Sequence, residues 1–146
     1  MTLSTKGRYG LKAMIDLADY SEENPQSIAC IAARQSISDS YLEQLMAKLK
    51  KAGLIKSIRG AQGGYVLARP SSEISVGDVL RALEGDLSPV NCMELKGEHG
   101  CSDKDHCAAK TVWKRIDESI QNTVDSIWLN ELVEDNRRLR EEKEEN

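Results

Sequence analysis

The chain contains no phenylalanine, and aromatic residues fill only 4% of its 146 positions. With 40% hydrophobic residues, a modest core of Leu, Ile, Val and Ala is expected. That suits about one domain with an appended element. No stretch approaches the ~18 consecutive apolar residues of a membrane-spanning helix. The start, MTLSTKGRYG, lacks the apolar run of a signal peptide. A cytoplasmic protein with no membrane partner is therefore expected. No nucleophile and base are paired in a way that suggests an enzyme. Cysteine pairs of the C-x2-C kind, usual in zinc knuckles, are also missing.

Charge is present but unevenly spread. Residues 1–70 carry ten Lys/Arg against six Asp/Glu, net +4. Residues 71–146 carry ten against eighteen, net −8. The total of −4 hides a basic front half, which suits a polyanion, and an acidic back half, which does not.

Apolar spacing predicts the elements. Leu11, Met14, Ile15 and Ala18 follow the i, i+3, i+4, i+7 rule, giving a helix over about 5–20 that stops before Asn24–Pro25. Ser27 can cap a short second helix with Ile28, Ile31 and Ala32 inward. A third helix carries Leu42, Leu45, Met46 and Leu49. Ser38 is its N-cap candidate, Ser40 and Glu43 have capping-box spacing, and Gly53 is a natural stop. LIKSIRGAQGGYVLARP reads as a β-hairpin with an arginine at its glycine-rich tip. Ser75 caps a fourth helix with Val76, Val79, Leu80 and Leu83 on one face, closed by Gly85. Near the end, Trp113, Ile116, Ile120, Val124 and Ile127 recur at spacings of 3, 4, 4 and 3. This predicts a long helix with a continuous apolar seam, for which a second copy of itself is the natural partner.

Three short helices and a glycine-tipped hairpin make a winged helix-turn-helix, whose third helix enters the major groove. Ser38, Ser40, Tyr41, Glu43, Gln44 and Lys48 are expected on its solvent side. Gln and Ser can hydrogen-bond base edges, and Glu can accept from cytosine N4. Lys6, Arg8, Lys50 and Lys51 suit phosphates, and Tyr9 joins them on the first helix. Arg59 and Gly60, at the wing tip, suit a narrow minor groove.

Cys92, Cys101 and Cys107 share one polar segment, PVNCMELKGEHGCSDKDHC, with the chain's two histidines, His99 and His106. So hydrophilic a segment needs something other than a hydrophobic core to order it. In the cytosol, clustered thiols more often mean metal or redox chemistry than disulfides. An iron–sulfur cluster, a Cys3His zinc site and unligated thiols all remain open on the C-x8-C-x5-C spacing alone. Cys30, at the start of the second helix, is expected to fill a crevice rather than react.

The segments LSTKGRYGLKAM, ISDSYLEQLMAKLKKAGLIKSIRGAQGGYVLAR and ISVGDVLRALEG, with the three cysteines and Trp113, carry a resemblance. Over roughly residues 1–132 the chain resembles the iron–sulfur cluster regulator (IscR-type) family of bacterial winged-helix transcription factors, which includes nitric-oxide-sensing and cysteine-metabolism repressors. The resemblance implies a homodimer on a double-stranded DNA operator. It also implies an iron–sulfur cluster, 2Fe–2S ahead of 4Fe–4S, held by Cys92, Cys101 and Cys107. The fourth ligand does not carry over. Cluster regulators of the nearest type have a shorter first cysteine gap and a histidine where Lys110 stands. Other members use an acidic residue of the partner where Arg8 stands. His99 is favoured here ahead of His106, with Glu94, Glu98, Asp103 and Asp105 as carboxylate candidates.

The expected organisation is mainly α with a small β-hairpin. A DNA-binding domain over 1–85 is followed by a cluster-binding loop over 86–107, a dimerisation helix over 108–132 and a charged, fraying tail over 133–146. Two alternatives remain. One is a repressor of the same fold without a cluster, sensing through zinc, thiol oxidation or a partner protein. The other is a small iron–sulfur electron carrier.

Overall fold

The computed structural model describes residues 3–89 and 108–145. The cysteine segment, with Cys92, Cys101, Cys107 and both histidines, lies outside them. Among the described residues the order is α1 (Thr5–Tyr20), α2 (Ile28–Gln35), α3 (Asp39–Lys51), β1 (Ile55–Ile58), β2 (Gly64–Leu67), a 3-10 turn (Ser71–Glu73), α4 (Val76–Glu84), α5 (Ala109–Ser126) and α6 (Leu129–Glu145).

Serine starts each of the first four helices for the same reason: its side-chain oxygen accepts one of the backbone N–H groups left without an intrahelical partner. Ser4, Ser27 and Ser38 accept from Lys6, Cys30 and Tyr41, each at 3.2 Å. Ser75 forms a full capping box, accepting from Asp78 N at 3.0 Å and donating its own N–H to Asp78 Oδ2 at 3.0 Å. The box expected of Ser40 and Glu43 does not form, because Ser38 already occupies the cap and both residues lie inside α3.

The apolar stripes converge as their spacing predicts. Met14 and Leu17 of α1, Ile31 of α2, and Leu42, Leu45, Met46 and Leu49 of α3 are all buried in one core. Val79 and Leu83 of α4 join it. Ile28, Leu11 and Ile15 are only partly buried against it. β1 and β2 pair antiparallel, Ile55 opposite Leu67 and Ile58 opposite Gly64. Gln26 ties this wing to the helices. Its backbone exchanges hydrogen bonds with Tyr65, at 3.0 and 2.8 Å. Its side chain accepts from Arg34 at 2.9 Å.

The C-terminal part departs from the expected single helix. α5 ends at Ser126, and Ile127 is extended (φ −102°, ψ 120°). Val76 N donates to Ile127 O, and Leu129 N donates to Ile74 O, each at 2.9 Å. Ser75 thus pairs with Trp128 in a short antiparallel bridge. The seam over 108–132 is therefore two helices meeting at a turn. The charged tail is helical to Glu145 and folds back onto the domain. Leu129 and Val133 enter the main core. Asp19, whose side chain is 4% exposed, receives Arg137 Nε at 2.7 Å and Arg140 Nη2 at 3.0 Å. Buried carboxylates need such partners. Asp16 obeys the same rule: it accepts from Arg34 Nε and Nη2 at 2.9 and 2.7 Å and from Gln35 at 2.9 Å. Cys30 is exposed, so it fills no crevice. The stripe of α2 is carried by Ile31 and Ala32, and the neighbouring position turns outward.

Candidate nucleic-acid interface

α3 buries one face, so its other face is set by helical geometry. Ser40, Glu43, Gln44, Ala47, Lys48 and Lys51 stand at i, i+3, i+4, i+7, i+8 and i+11, and all are exposed. This stripe holds hydrogen-bonding groups at its N-terminal end and cations at its C-terminal end. That polarity matches a helix whose first turns reach base edges while its last turn meets phosphate. Ser38 is exposed, but its oxygen is engaged as the cap of α3.

Tyr41 sits differently from its expected place. Its ring packs edge-on against Tyr9, centroids 6.2 Å apart and planes at 88°. Both rings are half-buried against the core. The Tyr41 hydroxyl is buried and has no hydrogen-bond partner among the described residues. The pair fixes the angle between α1 and α3, with Lys12 Nζ 5.6 Å from the Tyr9 ring centre. Leu42, next to Tyr41, fills the stripe, so helical spacing predicts Tyr41 outward. A tyrosine can bury its apolar body beside that stripe all the same.

Lys50 is exposed and donates to Ser57 Oγ of β1 at 3.0 Å, joining α3 to the wing. The wing tip turns at Gly60, whose φ of +117° favours glycine. Gly63 N closes the turn on Gly60 O at 3.0 Å. Arg59 beside it is exposed. Lys56 on β1 is a further exposed cation that spacing did not single out.

Lys6 and Arg8 are exposed on the first turn of α1. The turn is held from across the fold. Glu84 Oε1 accepts from Ser4 N at 2.9 Å, Ser4 Oγ at 2.5 Å and Gly7 N at 2.9 Å. The Ser4 hydroxyl bond, with the Gly7 and Ser4 amides, holds the Glu84 carboxyl below its usual range against a smaller opposing effect of burial. Lys6, Arg8, Lys48 and Arg59 form no ion pair with a described residue. These four exposed cations, on two helices and a wing, have no salt bridge among the described residues, which suits a polyanion. Among the described residues no group of three or more His, Cys, Asp or Glu could hold a metal. No described helix is long and apolar enough to cross a membrane.

Comparison with known proteins agrees with this architecture. Residues 3–135 match the Rrf2 family model, described as an iron-dependent transcriptional regulator. The HTH-type transcriptional regulator IscR of Serratia proteamaculans is 44% identical over 133 residues, 91% of this chain and 79% of that protein. The HTH-type transcriptional regulator CymR of Bacillus subtilis is 44% identical over 91% of this chain and 90% of that one. The solved structure of CymR, the global cysteine regulator of B. subtilis, superposes with a TM-score of 0.77 at 43% identity, over 92% of this chain and 97% of that one. That of T. potens IscR gives 0.74 at 45% identity, over 93% and 88%. These relatives are named as transcriptional regulators, not enzymes. With its winged-helix fold and its match over most of the length, the chain belongs to the Rrf2 family of DNA-binding transcriptional regulators.

Proposed function

We propose that the chain is a homodimeric, operator-binding regulator whose DNA affinity or site choice depends on an iron–sulfur cluster, 2Fe–2S ahead of 4Fe–4S, held by Cys92, Cys101 and Cys107. The observation that carries the DNA half is the exposed stripe Ser40, Glu43, Gln44 and Lys48 of α3, together with the exposed Arg59 of the wing tip. Gln44 and Glu43 read bases; Lys6, Arg8, Lys48 and Lys51 meet phosphates; Arg59 enters the minor groove. Iron–sulfur assembly or cysteine-metabolism genes are the targets this reading favours.

Support for the dimer comes from α5. Its eighteen residues include none that is buried. Val112 and Ile116 are 50% and 39% exposed. With Ile120 and Val124, which also pack partly on Val76, Leu80 and Leu87, they line an open groove of about 620 Å³. An apolar helix face of this kind calls for a partner, and a second copy brings the same seam. Two copies would then present two recognition helices to a palindromic operator.

Three thiolates in a polar segment are a donor set that suits iron–sulfur chemistry. The segment joins the end of α4 to the start of α5, so whatever it binds acts between the DNA-binding domain and the proposed dimer helix. When bound, a cluster supplies a charge and an occupancy that change with redox state and iron supply. Iron and sulfide analysis of anaerobically purified protein tests this reading. Equal iron and acid-labile sulfide are expected, lost in Cys101→Ala and kept in Cys30→Ala. Zinc without sulfide would overturn it.

A second reading has specific support. The IscR and CymR relatives are equally similar at 44%, and Lys110 and Arg8 occupy the positions where a fourth cluster ligand would be sought. A cluster-free regulator, sensing through thiol oxidation, zinc or a partner protein, would bind DNA through the same stripe but contain neither iron nor sulfide. An electron carrier has no use for that stripe, and none of the relatives named above is one.

A further inference from the structure

α4 lies between two helices with different tasks, and its last turn touches both. Arg81 donates to Asp125 Oδ1 and Oδ2 of α5 at 2.7 and 3.0 Å, and also to Gln121 of the same helix. Three residues on, Glu84 accepts the three bonds from Ser4 and Gly7 described above, all on one oxygen. The two side chains and Lys6 line the same crevice. Glycine permits both approaches. A Cβ at Gly7 would lie 2.6 Å from Glu84 Oε1, and one at Gly77 would lie 2.1 Å from Asp125 Oδ1. Leu83, between Arg81 and Glu84, packs so closely on α1 that a Cβ at Gly10 would lie 2.0 Å from its Cδ1. α4 is thus packed closely on α1 at Leu83 and tied to α5 through the Arg81 bonds.

We propose that Glu84 is a positioning residue for DNA binding, and that the last turn of α4 couples α5 to the phosphate-contacting first turn of α1. Glu84 touches no DNA. It fixes the direction in which Lys6 and Arg8 leave α1, while Arg81 ties the same turn to α5. A change in the placement of α5 reaches the DNA interface along this path. The inference rests on the reading of Lys6 and Arg8 as phosphate contacts.

The test uses the full-length protein and a mixed-sequence DNA duplex, with affinity measured by anisotropy over a range of salt. Each phosphate contact contributes about 0.9 to the slope of log K against log[salt]. Losing the Lys6 contacts, or those of Lys6 and Arg8, from both halves of a dimer should therefore lower the slope by about 2 to 4. Glu84→Ala should give that drop without changing the sedimentation coefficient. Glu84→Gln, which keeps an acceptor oxygen, should recover most of it. Gly7→Ala should reproduce the drop by displacing the carboxylate, and it serves as the second variant should Glu84→Ala unfold. Asp125→Ala removes two of the three hydrogen bonds that tie Arg81 to α5. Combined with Glu84→Ala it should weaken DNA binding by less than the product of the two single effects, as expected of coupled positions. A wild-type slope in folded Gly7→Ala and Glu84→Ala would overturn the positioning role. Effects that simply multiply in the double variant would overturn the coupling. If Lys6→Ala itself leaves the slope unchanged, the phosphate assignment fails instead, and the two failures are thereby told apart.

Discussion

Replacing Leu129 by alanine tests whether the charged C-terminal helix is part of the domain. Leu129 is 1% exposed and belongs to the main core. Truncating a buried leucine removes its transfer free energy and leaves a cavity, together about 2–5 kcal/mol. The upper part of that range applies where neighbours cannot collapse. Leu129 N is fixed to Ile74 O at 2.9 Å, which limits collapse. With a urea m-value of roughly 2 kcal/mol/M, the midpoint should fall by about 1–2.5 M. Leu139 is the control: it lies on the same helix and is 55% exposed, so its alanine variant should stay within about 0.5 kcal/mol of wild type. Both are compared by circular dichroism at one protein concentration, because a dimer's apparent stability depends on it. Equal midpoints for the two variants would show that α6 does not dock through Leu129, and the return of the chain at Ile127 would have to be abandoned.

Three further outcomes are expected. Ile116→Asp, at a seam position 39% exposed, places an unpaired charge in the proposed seam, costing several kcal/mol unless the helices part; sedimentation should show monomer and operator binding should be lost, whereas an unchanged dimer would put the interface elsewhere. Gln44→Ala should alter sequence preference, whereas Arg59→Ala should weaken binding through the wing; a uniform loss across all sequences in Gln44→Ala would remove it from base readout. Hydrogen bonds from Ser4 and Gly7 lower the Glu84 pKa from 4.5, and the Arg81 hydrogen bonds lower that of Asp125 from 3.8. The unfolded chain therefore takes up these protons first, so their stabilisation is complete above about pH 4.5 and is lost as pH falls through the folded values. Acid titration of Glu84→Gln should show a shallower decline, and one as steep as wild type would contradict the assignment.

Much of the fold was legible because it depends on local patterns. The stripe Leu42, Leu45, Met46, Leu49 and the caps Ser27, Ser38 and Ser75 each need only a few neighbouring residues to be recognised, and they formed as their spacing predicts. The exposed face of α3 then followed as the complement of its buried one. What escaped depends on partners far along the chain. The apolar rhythm from Trp113 runs through Ile127 without a break, and nothing local marks the turn there. It is imposed by the strand-like pairing of residues 127–129 with 74–76. The tail looked too charged to pack, yet Leu129 and Val133 keep helical spacing, and Arg137 and Arg140 answer a carboxylate more than a hundred residues earlier.

Asp16 and Asp19 were the overlooked signal. Both interrupt the apolar side of α1, and a carboxylate at such a position demands a cation. Asp16 takes Arg34 of α2, and Asp19 takes Arg137 and Arg140 of α6. Glu84 is the same argument in reverse, an acid at the end of α4 that meets the amides opening α1. Each of these acids joins two elements that a hydrophobic contact alone would let slide, because an ion pair or capped amide has one geometry and an apolar contact has many. α1 is thus oriented against α2, α4 and α6 by polar contacts around its edges, while the apolar core and the Tyr9–Tyr41 contact hold it to α3.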